Sequence, residues 1–339
     1  MRLTTLRTAV AAAGAFLLAG AAALAAAPAA SAAPATGAFS YEVTRGAGAY
    51  LDVPGTEITF DAAAGERSYL WSRNFATGPV DAVGKGDNIG NTFAIRCGTA
   101  TGAALPAGTE GGAYWAANLV PPGETSLTAA LRWVFVAPAD GSYSCRLSIV
   151  SYSSIIVNGR TVTMRVPAGA ELARQTAPVY NDMPRWTLPQ GSGVIVAAGS
   201  TATTLGYTVT PTTGNRVSLY QDAALSTCMV NSDICSGGTS AHQGTVVETW
   251  VEAQPRTADG TPCGAPLTGP VSRWNITDAK HHQTAANTLT LTTAQLAGCP
   301  QVRTTLKVRN VSGNPVLIHD GHTSGTIART HGAAITYTV

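Results

Sequence analysis

Apolar and polar residues alternate through most of the chain beyond its first thirty residues, with the period of two that marks a strand having one buried face. Tyr143, Cys145, Leu147 and Ile149 form one apolar row against Ser142, Ser144, Arg146 and Ser148. Phe93, Ile95 and Cys97 form a second row, and Val302, Thr304, Leu306 and Val308 a third. Ile335, Tyr337 and Val339 alternate with threonines, so a paired strand is expected near the C-terminus. No stretch of a dozen residues keeps a helical period. Asn158-Gly159, between Ile155 to Val157 and Thr161 to Val166, predicts a hairpin, and Asp320-Gly321 predicts another. Short one-sided strands bury their apolar rows by facing one another in two sheets. The expected fold is therefore all-β, a β-sandwich or jelly roll.

The first thirty residues follow a different pattern. Arg2 and Arg7 precede an uncharged Ala/Leu-rich run from Ala9 to Ala27, then Pro28 and the small residues Ala29-Ala30-Ser31-Ala32. This is the order of a secretory signal peptide, residues 1–32, with cleavage expected after Ala32. A secreted, extracellular protein follows, with no second apolar run long enough for a membrane span. Removing the leader takes two basic residues from 21 and no acidic one from 19, which leaves 19 against 19. Such a chain has no net field to attract nucleic acid or an anionic membrane. Charged residues make up only 12% of the chain, and Ala, Gly, Thr and Ser are abundant. With Arg far outnumbering Lys and an Ala-rich leader, the composition resembles exported proteins of high-GC actinobacteria.

The 307 residues after Ala32 are enough for two domains, each with its own core. Pro178, Pro184 and Pro189 interrupt any ladder between Ala177 and Gly193 and place the boundary there, giving domains at 33–183 and 184–339. All six cysteines lie beyond the leader, an even count that reads as three disulfides in an oxidising compartment. Cys97 and Cys145 each belong to an apolar row and are expected to pair. Cys228 and Cys235 bound a short loop, which leaves Cys263 for Cys299.

Gly141, Tyr143 and Cys145 resemble the G-x-Y-x-C at the start of strand F in immunoglobulin-like domains. The resemblance implies a corner hydrogen bond from the tyrosine and a cysteine that bridges two sheets. It covers about ten residues. The spacing of Cys97 and of Trp115 departs from the family pattern, so the likeness extends to the architecture alone.

Motifs of catalysis are missing. Ser236 precedes His242 by six residues, the reverse of the order in chymotrypsin-like proteases, and no G-x-S-x-G, phosphate loop or H-E-x-x-H occurs. Glu248 and Glu252 flank Trp250, but positions four apart on a strand are about 13 Å apart, too far for a glycosidase pair. All six histidines fall in the last third: His242, His281, His282, His319, His322 and His331. A two-residue turn at Asp320-Gly321 would set His319 opposite His322 with Cβ atoms about 5 Å apart. His331 or His281 could then complete a metal site. The plainer reading is a set of solvated turn histidines, and no cofactor is implied.

Tyr114 and Trp115 sit between glycines and the Pro121-Pro122-Gly123 turn. Neighbours on a strand face opposite ways, so one ring is expected in the core and the other outside, where it could stack on a sugar. Packing alone would instead have one ring cap the core and the other cover a loop. The function expected is that of a secreted, non-catalytic module binding a glycan or another cell-surface component. The alternatives are an extracellular hydrolase acting on a polymer and a metal-binding surface protein.

Overall fold

A computed structural model describes residues 30–31, 37–81, 87–155, 159–176, 183–211, 214–228, 244–320 and 329–338. Apart from the two-residue strand Ala30–Ser31, the expected leader lies outside the described residues. The chain is all-β, built from sheets packed face to face as a sandwich. Its one named helical element among the described residues is a 3-10 turn, Thr293–Leu296, closed by a capping box between Thr292 and Gln295.

Gly141–Ile155 and Asn88–Thr99 are the central strands of one sheet in the N-terminal half. Their inward rows, including Phe93, Ile95, Cys145, Leu147 and Ile149, are buried as the alternation requires. A second layer covers that row and bends sharply. Arg67–Arg73 and Phe75–Pro79 are nearly continuous in sequence yet belong to different sheets. Between them Asn74 takes a left-handed φ of 50° and donates its side-chain amide to the Gly169 carbonyl at 3.3 Å. Asn tolerates that conformation better than any residue but glycine.

In the C-terminal half, Thr245–Arg256 and Gln301–Gly313 face Arg216–Thr227 and His282–Thr292 across a second core. Thr245–Arg256 alternates buried and half-buried without a break. Arg216–Thr227 is buried at nearly every position, because one of its faces meets the core and the other meets the N-terminal half. That seam holds Tyr69, Val134, Met183, Tyr220, Ala333 and Ile335, and Ala116 packs on Ala224 farther along it. No ladder among the described residues joins a strand of one half to a strand of the other.

Cys97–Cys145 and Cys263–Cys299 are disulfides, as expected. Cys228 is also disulfide-bonded, while Cys235, its expected partner, lies outside the described residues. Tyr143 makes the corner bond that the immunoglobulin-like motif implies, donating to the Ala139 carbonyl at 2.6 Å. The bridge departs from that motif. Cys97 and Cys145 face each other on neighbouring strands of one sheet instead of linking two sheets.

The hairpin expected at Asn158-Gly159 needs correction: residues 156–158 lie outside the described residues, but Gly141–Ile155 and Val162–Val166 on either side belong to different sheets and do not pair. At the turn expected at Asp320-Gly321, residues 321–328 lie outside the described residues, and Val316–Ile318 before it pairs with Arg216–Thr227 on one side and Val194–Val196 on the other. A turn dipeptide specifies local backbone, and the choice of partner is made by the apolar faces that must be covered.

Candidate functional site

The strand Arg185–Thr187 lies in the stretch expected to separate the two halves, and its alternation assigns three residues to two tasks. Arg185 and Thr187 turn toward the N-terminal half. Arg185 donates to the Val134 carbonyl at 2.9 Å and pairs with Glu110 at 3.0 Å, while the Thr187 hydroxyl reaches the same carboxylate at 2.8 Å. Trp186 turns the other way, into the core of the C-terminal half, and is 8% exposed. Its indole lies against Gly332, the residue paired with it across the ladder. A Cβ on Gly332 would stand 2.6 Å from the indole nitrogen, so only glycine leaves the ring its place.

Thr201–Val209 forms the edge of the facing sheet and carries a bulge. Thr204 pairs with Leu306 and Tyr207 with Thr304, which sets Leu205 and Gly206 against the single residue Thr305. Leu205 takes a left-handed φ of 50°, a strained conformation for a residue with a branched side chain. The bulge aims Tyr207 across the open side of the sandwich onto Trp186. The rings are parallel within 8°, with centres 4.5 Å apart, and Tyr207 remains 37% exposed. A cleft of about 390 Å³ opens here, and Leu188, Pro189, Ser192 and Thr204 also line it. None of its lining residues is a carboxylate, imidazole, ammonium or thiol.

Tyr114 and Trp115 face opposite ways, as strand neighbours must. Trp115 packs on the N-terminal core, while Tyr114 lies on the outer face of its sheet beside Tyr50, with ring centres 6.1 Å apart. Both are half-buried, so the side chains shelter the pair more than its glycine neighbours suggest.

The pairing expected between His319 and His322 involves a residue outside the described ones, and the described histidines lie at two places. His319 meets His282 through a buried serine, with Ser226 Oγ 2.6 Å from His282 Nδ1 and 2.6 Å from His319 Nε2. One hydroxyl proton serves two rings, so Ser226 donates to one imidazole and accepts from the other. His281 lies beside His282, with ring centres 4.2 Å apart and planes tilted by 56°. Burial first, then the neighbouring His281 and His319, hold His282 well below the ordinary histidine range. His331 is elsewhere, at the seam, with Nε2 3.0 Å from the Arg132 carbonyl and Nδ1 3.1 Å from that of Arg329. His322 lies outside the described residues. Among the described residues no three His, Cys, Asp or Glu side chains converge as a metal site.

Glu248 and Glu252 are engaged in ion pairs on the outer face of their sheet, Glu248 with Arg273 at 2.8 Å and Glu252 with Lys307 at 3.3 Å. Sequence reasoning missed Trp186 and Tyr207. The signal for Tyr207 was present: a glycine inside the alternating run Thr203 to Val209 marks a bulge. Trp186 had no such signal, because the prolines around it read as a linker.

No family model matches the chain, and no curated protein matches it. Among solved structures, it is similar to a chain of infectious bursal disease virus, Gx strain, at 11% identity and a TM-score of 0.27, over 93% of this chain and 78% of that one. It is also similar to a chain of the cowpea mosaic virus top component, a naturally occurring empty particle, at 9% identity and a TM-score of 0.28, over 90% of each chain. Likeness at this level says nothing of ligand or activity. Among the described residues, no helix is long and apolar enough to cross a membrane.

Proposed function

We propose that the protein is an exported, non-catalytic binding module that holds a neutral polysaccharide chain on Tyr207. The observation that carries this reading is the parallel stack of Tyr207 on Trp186 at the mouth of an uncharged cleft. A phenol ring backed by a buried indole is fixed in orientation, so it loses little freedom when a flat ligand settles on its outer face. The C–H face of a pyranose is such a ligand. Ser192 and Thr204 line the cleft; the Thr204 hydroxyl can exchange hydrogen bonds with a sugar, and the Ser192 hydroxyl, which donates to the Pro189 carbonyl, can accept one.

Hydrolysis of a glycosidic bond calls for an acid and a base or nucleophile flanking the bond. The lining of this cleft offers neither, which favours binding over cleavage. Export is supported by the leader-like first 32 residues and by disulfides that persist in oxidising compartments.

The test mixes the protein lacking residues 1–32 with insoluble cellulose, chitin and arabinoxylan and measures depletion from the supernatant, with soluble sugar followed in the same tubes. Depletion by at least one polymer without sugar release is expected. Release of sugar would overturn the non-catalytic reading, and no depletion by any polymer would overturn the binding one.

A further inference from the structure

A second group of aromatic and charged side chains takes no part in the Tyr207 cleft. Arg329 stands at the seam between the halves, with its guanidinium carbon 5.6 Å from the centre of the Tyr114 ring. Tyr114 neighbours Tyr50 at 6.1 Å, and the Arg96 guanidinium lies 4.9 Å over the Tyr50 ring. Two cations thus flank a pair of phenols, each within cation–π reach of its ring.

Arg96 and Arg146 are matched by two carboxylates: Arg96 reaches Asp52 at 3.5 Å, and Arg146 reaches Asp52 at 3.1 Å and Glu57 at 3.8 Å. Arg329 has no ion pair among the described residues, and its Nε is buried with no hydrogen-bond partner. A buried donor left unmatched is destabilising and calls for a partner such as an ordered water or an ion. Arg185 reports the same positive field: burial first, then the charges of Arg67 and Arg329, lower its proton affinity against the pull of Glu110. Burial and Tyr114 together raise the Tyr50 phenol, which keeps that ring neutral and its hydroxyl a donor.

We infer that Arg329, Arg96, Tyr50 and Tyr114 form a second binding site, one for the carboxylate of a uronic-acid unit in an acidic polysaccharide. Guanidinium forks match a carboxylate in shape and charge. The phenol faces favour a carboxylate held on a ring over one on a flexible stem, as in an acidic peptide. The site is independent of the Tyr207 cleft and stands or falls without it.

The test is the affinity of the protein for polygalacturonate and for its methyl ester, in which the same sugar carries no charge. At about 50 mM salt the parent binds the acid at least tenfold more tightly than the ester, and about 0.5 M salt removes most of that difference. Arg329→Gln weakens binding of the acid at least tenfold. Arg329→Lys, which keeps the charge without the fork, gives an intermediate value. Arg96, whose side chain is 42% exposed, can be replaced without disturbing a core, so Arg96→Gln must also weaken binding even if Arg329→Gln proves unstable. The inference is overturned if polygalacturonate is not bound at low salt, if acid and ester bind alike, or if Arg96→Gln binds like the parent.

Discussion

Arg132 and Asp222 meet in a buried ion pair across the seam between the two halves, with side chains 16% and 4% exposed. Arg132 also donates to the Thr288 hydroxyl at 2.5 Å and to the Asn287 carbonyl at 3.2 Å, and its own main-chain carbonyl faces His331 at 3.0 Å. Taking two charges out of water is costly, and their attraction offsets the cost only while both are present. Asp222→Asn is expected to lower stability by about 3–5 kcal/mol, because it leaves a buried guanidinium uncompensated. Replacing both residues by apolar ones of similar size should recover much of the loss. Chemical denaturation of the single and double variants measures both effects, and equal stability of Asp222→Asn and the parent would show that the seam opens readily.

The Tyr143 hydroxyl closes a corner on Ala139 at 2.6 Å inside a buried aromatic group with Phe60 and Phe135. Tyr143→Phe keeps the ring and removes the bond. A loss of about 0.5–1.5 kcal/mol is expected in a denaturation curve of unchanged slope.

His282 ties stability to pH. Its folded-state proton affinity is held below the ordinary value of 6.5, first by burial and then by His281 and His319. The unfolded chain therefore takes up a proton more readily than the folded one. Stability is full at neutral pH and falls as the pH drops below about 6.5 toward the depressed folded value. His281, lowered chiefly by burial, adds to the same slope. Melting temperatures measured from pH 7.5 down to about 5.5 should decline, and His282→Gln should flatten the decline. A flat profile for the parent would mean that the imidazoles are solvated in the folded protein.

Metal is expected to be dispensable. His319 is engaged with Ser226, and no third ligand converges on it among the described residues. A chelator should leave the melting temperature where it was, since only a ligand bound to the folded state raises it. A fall of several degrees, abolished by His319→Ala, would instead promote a histidine metal site.

Much of the fold was legible because period-two rows need only a backbone and a buried face. Phe93 to Cys97, Tyr143 to Ile149 and Val302 to Val308 all point inward as their alternation requires. Arg216–Thr227 could not be read this way: its outer face carries Ser218, Tyr220, Asp222 and Ser226, polar residues that would suit solvent but are buried, Tyr220 and Asp222 against the other half and Ser218 and Ser226 among side chains of their own half. The meeting of His319 with His282 was hidden for a related reason. They lie on strands that flank Arg216–Thr227 on opposite sides, so only the sheet order brings them to Ser226. The Trp186 and Tyr207 pair likewise joins the edges of two sheets, and no local pattern encodes which edges will face each other.

The proposed sugar platform is Tyr207, held flat by Trp186. Depletion isotherms on cellulose, chitin and arabinoxylan, run in parallel for the parent and Tyr207→Ala, measure its part in binding. Removing Tyr207 also removes its stack on Trp186, so a fall of a few degrees in melting temperature is expected beside the loss of binding. On whichever polymer retains the parent, Tyr207→Ala should bind at least about tenfold more weakly, a loss of about 1.4 kcal/mol. Equal isotherms for the two proteins would mean that Tyr207 takes no part in holding the polymer.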